Sequence, residues 1–439
     1  MANPADPLPL TPALFPALFA RVSGSGPLGV AVSGGGDSVA LLQALAEWGQ
    51  RPLEVFCVDH GLNPDSRAWT QSVADHACRL GAGFTALYWQ GDKPVTGLSA
   101  AARHARHALL AEAARQKGIK VLCLAHTLDD IAEAQAMRLE GSNVASPKPW
   151  SPSPAWPEGR GLFLCRPFLN LRREALRVWL REKGVAWIDD PANDSPKSLR
   201  ARMRQDLQGQ GAPQPEISLS LSSEQVSALL YQPEKMGRLG LIVFQASVLW
   251  TLPEEVARRC LSVAAVCAGG GNRLPRSAKV AALRERLSGG KAVTLCGARL
   301  IQTDGHIIMA REAGDIGRHS EAVVPVAAGT ETMWDGRFAV KSASFGRIRP
   351  SGQVRARLDA AELAQLMSLP AGVRNSLPVL EKDNPQTFCL QNPVLRQSPY
   401  KDIEITCWVL PRFYAAIGAI VCEGQSTGLV DAMIGENGQ

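Results

Sequence analysis

The chain has 439 residues, 46% hydrophobic and 20% charged, with a formal net charge of +6. This is a globular composition that excludes wholesale disorder, and no apolar run approaches the roughly 18 residues a membrane helix needs. The N-terminus, MANPADPLPL, lacks the basic and apolar regions of a signal peptide, and the ten cysteines form no C-x-x-C pair. A reduced, cytoplasmic protein with no disulfide scaffold and no membrane partner is therefore expected.

The first 200 residues alternate strand-like and helix-like segments. Strands are expected at 29–32, 53–58, 84–89, 120–125 and 162–165. Helices are expected at 38–48, 65–80, 99–117, 128–140 and 171–183. Ser99 is placed as the cap of the third helix, with Gly118 and Gly141 closing the third and fourth. This alternation predicts an α/β domain built on a doubly wound parallel sheet, with its ligands beyond the C-terminal strand ends. The Pro/Ser/Trp-rich stretch 146–159 reads as a loop. The expected organisation is an N-terminal extension (1–26), the α/β domain (27–207), a linker (208–217), a mainly helical domain (218–329) and a small β-rich domain (330–439). Within these, residues to about 287 read as helical, and 292–295, 298–301, 337–340 and 404–410 read as short strands.

Charge is unevenly distributed. Between Arg160 and Asp206 eleven Arg and Lys face six Asp and Glu, so about a tenth of the chain carries +5 of the total +6. Such a stripe suits a polyanion, although a solvated helix face has the same composition.

Two glycine patterns are set aside. Gly24-Ser-Gly26-Pro-Leu-Gly29 precedes a strand, where a dinucleotide fingerprint must follow one. Gly289-Gly290-Lys291 lacks the rest of a Walker loop. Ser33-Gly34-Gly35-Gly36-Asp37-Ser38, in contrast, follows the first strand and opens a helix. Three glycines let backbone N–H groups approach a phosphate, and the helix dipole favours the anion. Asp37 offers the oxygen ligand that Mg²⁺ accepts beside phosphate. On the third helix Arg103, Arg106 and His107 stand at i, i+3 and i+4, and on the fourth Asp130 and Glu133 share a face.

The segment Ser33–Ser38 resembles the PP-loop of the ATP-pyrophosphatases. Val58-Asp59-His60-Gly61-Leu62, the helix at 98–107, Ala125-His126-Thr-Leu-Asp129-Asp130-Ile-Ala-Glu133, Arg166-Pro167-Phe168, Trp187–Asn193 and Arg200–Arg204 follow in order. Together they resemble the tRNA(Ile)-lysidine synthetase family over about residues 27–207, more weakly through the helical region, and little after about 330. The resemblance implies a ligase using ATP and Mg²⁺ to adenylate the wobble cytidine of a CAU-anticodon tRNA(Ile), which L-lysine then attacks. It implies phosphate and nucleotide contacts from Ser33, Gly34, Gly35, Gly36, Asp37, Ser38, Asp59 and His60, with Asp37 toward the metal. It also implies lysine on Asp130 and Glu133, the base near Arg106 and Arg103, and tRNA phosphates on Arg200, Arg204 and the basic helix after Leu171. The sequence departs at Ala134, where the family has Thr, at Ala201, where it has Asn, and in the stretch 143–159. A PP-loop tRNA thiolase and a non-catalytic RNA-binding protein are the alternatives; the first usually needs paired cysteines. A homodimer is an assembly the sequence leaves open.

Overall fold

The computed structural model describes residues 26–141, 146–189, 203, 221–318, 322–383, 386–390 and 402–420. The expected extension, the linker, Arg200 and Arg204 lie outside these, except for Gly26. The described residues divide into two compact units, one ending before residue 219 and the other covering 221–420.

In the first unit, β1 (Leu28–Ala31), β2 (Leu53–Asp59), β3 (Gly83–Tyr88), β4 (Val121–Cys123) and β6 (Phe163–Cys165) form a parallel sheet. The antiparallel β5 (Trp150–Pro152) completes the order β3-β2-β1-β4-β6-β5. The helices are α1 (Gly36–Trp48), α2 (Ser66–Arg79), α3 (Leu98–Gln116), α4 (Leu128–Leu139) and α5 (Arg173–Glu182). The doubly wound α/β reading holds. The chain proceeds from β1 to β2 and β3 on one side, then crosses to β4 on the other, so β1 and β4 flank the switch point. A crevice opens at such a point beyond the C-terminal strand ends.

Four local expectations are corrected. Gly97, not Ser99, occupies the N-cap of α3, with no side-chain cap. The stretch 146–159 is not all loop: Trp150 stacks on Phe163 at 5.2 Å and 17°, and β5 pairs with β6. Pro152 fits because the strand lies at the sheet edge, where a missing N–H breaks no inner ladder. The mainly helical region contains helices between Ser223 and Ser288 but also β7 (Ile242–Gln245). This short apolar run pairs with β10 (His306–Arg311), beside β9 (Ala298–Thr303) and β8 (Val293–Leu295). Farther on, the strand expected at 404–410 ends at Cys407, and Val409–Ile417 is a helix. Among the described residues no helix is long and apolar enough to cross a membrane.

One core of the first unit joins Phe56 from β2, Leu110, Ala111 and Ala114 from α3, and Ile119, Leu122 and Leu164, all essentially buried. Leu110 is 1% exposed. Leu110→Ala should lower the stability of this unit by about 2–5 kcal/mol through lost transfer energy plus a cavity. Chemical denaturation followed on the first unit checks this, and a loss under about 1 kcal/mol would contradict the packing.

Candidate functional site: a glycine loop beside a carboxylate cluster

The loop 33–36 leaves β1 and enters α1 with Gly34 at φ +88°. A Cβ on Gly34 would lie 2.7 Å from Ile188 Cδ1, so both the backbone and the space require glycine there. Ile188 N–H donates to Gly34 O at 2.9 Å, and the Trp187 ring lies against Gly36. Ser38 Oγ accepts from the Ser33 N–H at 3.2 Å and donates to Gly35 O at 2.8 Å, so this hydroxyl holds the loop together. No side chain caps α1. The glycine loop and the dipole of the thirteen-residue helix behind it therefore present an electropositive edge to the crevice.

Asp37, in the first turn of α1, meets Asp130 and Glu133 of α4 around one guanidinium. Arg173, the first residue of α5, donates from Nε to Asp37 Oδ2 at 2.9 Å and from Nη1 to Glu133 Oε1 at 3.1 Å. Its Nη2 reaches Asp130 Oδ1 at 3.4 Å. Asp130 Oδ2 also accepts from the N–H and Oγ of Thr127, at 2.7 and 2.9 Å, closing a capping box on α4. Asp129 accepts the backbone N–H of Arg173 at 2.7 Å and so fixes the start of α5. Glu133 is 2% exposed. Burial holds the Asp37 carboxyl above its ordinary 3.8, with the neighbouring Arg173 pulling the other way. Burial alone would lower the Arg173 value, but Asp130, Asp37 and Glu133 together raise it.

Asp37 Oδ1 is buried without a hydrogen-bond partner. An acceptor oxygen at the mouth of a phosphate loop fits a hard cation. No group of three or more His, Cys, Asp or Glu among the described residues is arranged to hold a metal by itself. Mg²⁺ bound there would thus complete its shell with phosphate and water, as it usually does.

The other half of the crevice is cationic. His107 is 5% exposed, and neither ring nitrogen has a hydrogen-bond partner. Burial, with the charges of Arg106, Arg103 and Arg166, brings its value down to about 2. Arg166 is buried, donating to His126 Nδ1 at 3.2 Å, Lys148 O at 2.8 Å and Ser151 Oγ at 2.9 Å, and burial lowers it to about 10. On α3, Arg106 is half-buried and Arg103 exposed. Asp59 Oδ1 accepts from Gly61 N–H at 2.7 Å, which shapes the turn after β2. His60 stands edge-on to Trp89 at 5.9 Å, its value lowered by burial and then by Arg106.

The structure thus brings together Asp37, Asp130 and Glu133, with Arg103, Arg106 and His60 in the cationic part. Two participants were missed as site residues: Arg173, counted only among the cations of a basic helix, and Arg166. Among the described residues, the basic helix α5 and its flanks are also matched within the unit. Arg172 pairs with Asp129, Arg177 with Asp189, Arg181 with Glu174 and Lys183 with Glu47. Cys57, Cys123 and Cys165 are buried in strands, and burial pushes the Cys57 thiol up to about 11, so none of the three is a ready nucleophile.

Residues 15–210 match the model of a PP-loop domain family. A tRNA(Ile)-lysidine synthase from Caulobacter vibrioides is 39% identical over 404 residues, 90% of this chain and 94% of that protein. A second from Rhizobium meliloti is 32% identical over 374 residues, 78% and 79% of the two chains. Among solved structures, a U34-tRNA thiolase from Methanococcus maripaludis superposes with a TM-score of 0.38 and 16% identity, over 45% of this chain and 71% of that one.

Because His107 is held neutral, the unfolded chain takes up a proton near pH 6.5 that the folded chain refuses until about 2. Stability from this residue is present above pH 6.5 and is lost as pH falls below it. His107→Phe should therefore flatten the decline of Tm between pH 7 and pH 5. An identical decline in both proteins would mean that His107 takes up its proton in the fold.

Proposed function

The chain belongs to the tRNA(Ile)-lysidine synthase family, and from that premise we propose that it joins free L-lysine to C2 of the wobble cytidine in a CAU-anticodon tRNA(Ile), in the cytoplasm, using ATP. In the first step the C2 oxygen attacks the α-phosphorus of ATP, forming an O–P bond as pyrophosphate leaves. In the second, the lysine ε-amine attacks C2, loses a proton, and AMP departs with the oxygen. The observation that carries the site assignment is the meeting of Asp37, Asp130 and Glu133 around one cation beside the glycine loop.

The loop Ser33–Ser38 and the start of α1 bind the phosphates, with Asp59 and His60 along the nucleotide. Asp37 Oδ1 is the oxygen that would hold Mg²⁺, which when bound neutralises charge developing on pyrophosphate. Asp130 and Glu133 receive the α-ammonium of lysine, leaving its side chain to reach the activated base. Arg106, with Arg103 farther out, faces the base and its adenylate. Arg200 and Arg204 contact tRNA phosphates.

Asp37→Asn keeps an acceptor for Arg173 but removes the charge. Burial holds this carboxyl above 3.8, so its ionisation at neutral pH opposes folding. The variant should keep the wild-type Tm or exceed it at pH 7.5, yet lose activity by on the order of 10²-fold or more, as when about 3 kcal/mol of transition-state stabilisation goes. Lysine-dependent AMP release on a CAU-anticodon transcript measures this, and near-wild-type turnover would remove Asp37 from the mechanism. Glu133→Gln should raise the KM for lysine about tenfold or more, matching a lost charged hydrogen bond of ~1.5–3 kcal/mol, with the KM for ATP little changed. If ATP dependence collapses while lysine dependence holds, Glu133 serves the nucleotide instead.

A further inference from the structure

Arg173 lies on the inward stripe of α5, one turn before Leu176 and two before Leu180, both fully buried. Each arm of its guanidinium is committed to a different acid: Nε to Asp37, Nη1 to Glu133 and Nη2 to Asp130. Its backbone N–H is fixed separately by Asp129, so the side chain can change partners without moving the helix start. Glu133 and Asp130 are buried, and Arg173 Nη1 and Nη2 stand on one carboxylate oxygen of each. An incoming ammonium needs those same oxygens. Two cations cannot share them in a half-buried site, because each would lose hydration and gain a like-charge neighbour. The glycine loop lies on the Asp37 side of the guanidinium, and a polyphosphate bound there presents the paired oxygens that an arginine fork accepts as readily as carboxylates.

We propose that Arg173 is the resident cation of the lysine subsite and sets the order of binding. Nucleotide polyphosphate draws its guanidinium away from Asp130 and Glu133, and the α-ammonium of lysine then takes the vacated acids. Arg173 is thus a positioning residue, excluding lysine from the empty enzyme and admitting it beside bound nucleotide. The inference rests on the assignment of Asp130 and Glu133 to lysine. Such exchange is a coupling between two ligands and is reciprocal, so each tightens the other.

The test is calorimetric titration of the full-length protein with L-lysine, with and without Mg²⁺ and α,β-methylene-ATP. For the wild type, nucleotide should tighten lysine binding about tenfold or more, within the usual range of such couplings. Arg173→Gln should bind lysine in the absence of nucleotide nearly as tightly as the wild type does in its presence, with coupling reduced to about twofold or less. Arg173→Lys, a point charge unable to span three carboxylates, should show intermediate coupling. An arginine that merely held the fold would, when replaced, weaken lysine binding in both conditions alike. Equal lysine affinity with and without nucleotide in the wild type overturns the proposal, whether or not the variants fold. Full coupling retained in Arg173→Gln overturns it as well. Glu133→Gln, titrated with nucleotide present, separates the two claims. Weaker lysine binding there, with no coupling in the wild type, keeps the subsite and removes the ordering role; unchanged binding removes both.

Discussion

Carboxylates a few ångströms apart in a half-buried cleft repel by several kcal/mol unless a cation stands between them. Arg173 is that cation for Asp37, Asp130 and Glu133, and the geometry of the crevice depends on it. Asp37 and Asp130 come from the first turns of α1 and α4, Glu133 from the next turn of α4, and the arginine from the first turn of α5. Three helix starts therefore meet at one point, and their dipoles favour negative charge where the acids stand. Even so, the Asp37 carboxyl remains above its usual value because burial outweighs these attractions. Asp37 Oδ1, buried without a hydrogen-bond partner, can therefore gain from a further cation.

The segment from His126 to Asp130 divides the crevice into two electrical halves. At one end His126 Nδ1 takes a hydrogen bond from Arg166, which stands near Arg103. At the other, Asp130 faces Arg173 while its second oxygen caps α4 through Thr127. Only three residues thus separate a cationic wall from an acidic one. A reaction that brings together a polyphosphate, a nucleic acid and an amino acid carrying two ammonium groups needs both walls at close range. His107 stays neutral beneath the cationic wall because a further charge there would have neither water nor a counter-ion.

Much of this was legible in the residues. The βα alternation and the Gly34-Gly35-Gly36 turn predicted the parallel sheet and the tight turn between β1 and α1, because both follow from local spacing. The i, i+3 pair Asp130 and Glu133 was legible for the same reason. Arg173 was not, since its partners are 40 or more residues away in sequence and a run rich in Arg and Lys reads as a solvated face. The signal was nevertheless present: Arg173, Leu176, Arg177 and Leu180 fall at i, i+3, i+4 and i+7, a stripe that faces inward. An arginine on that stripe needs an internal acid. Likewise β5 was hidden by prolines that disfavour strands in general but are tolerated at an edge, and β7 by the helices on either side of it.

The covering of the glycine loop shows how its shape is maintained before any ligand arrives. Ile188 fills the space beside Gly34 and donates its N–H to the Gly34 carbonyl, Trp187 lies against Gly36, and Ser38 ties Ser33 to Gly35. None of these contacts uses the side chain of Asp37 or Arg173. An unsupported glycine-rich loop would lose about 1–2 kcal/mol of conformational entropy per residue on closing around a phosphate. Here that ordering is already accomplished during folding, by a segment that follows α5. The same helix supplies Arg173, so α5 and the residues just after it position both the glycine loop and the cation that joins the three acids. Asp129, by accepting the backbone N–H at the start of α5, is the contact that keeps these two functions in register.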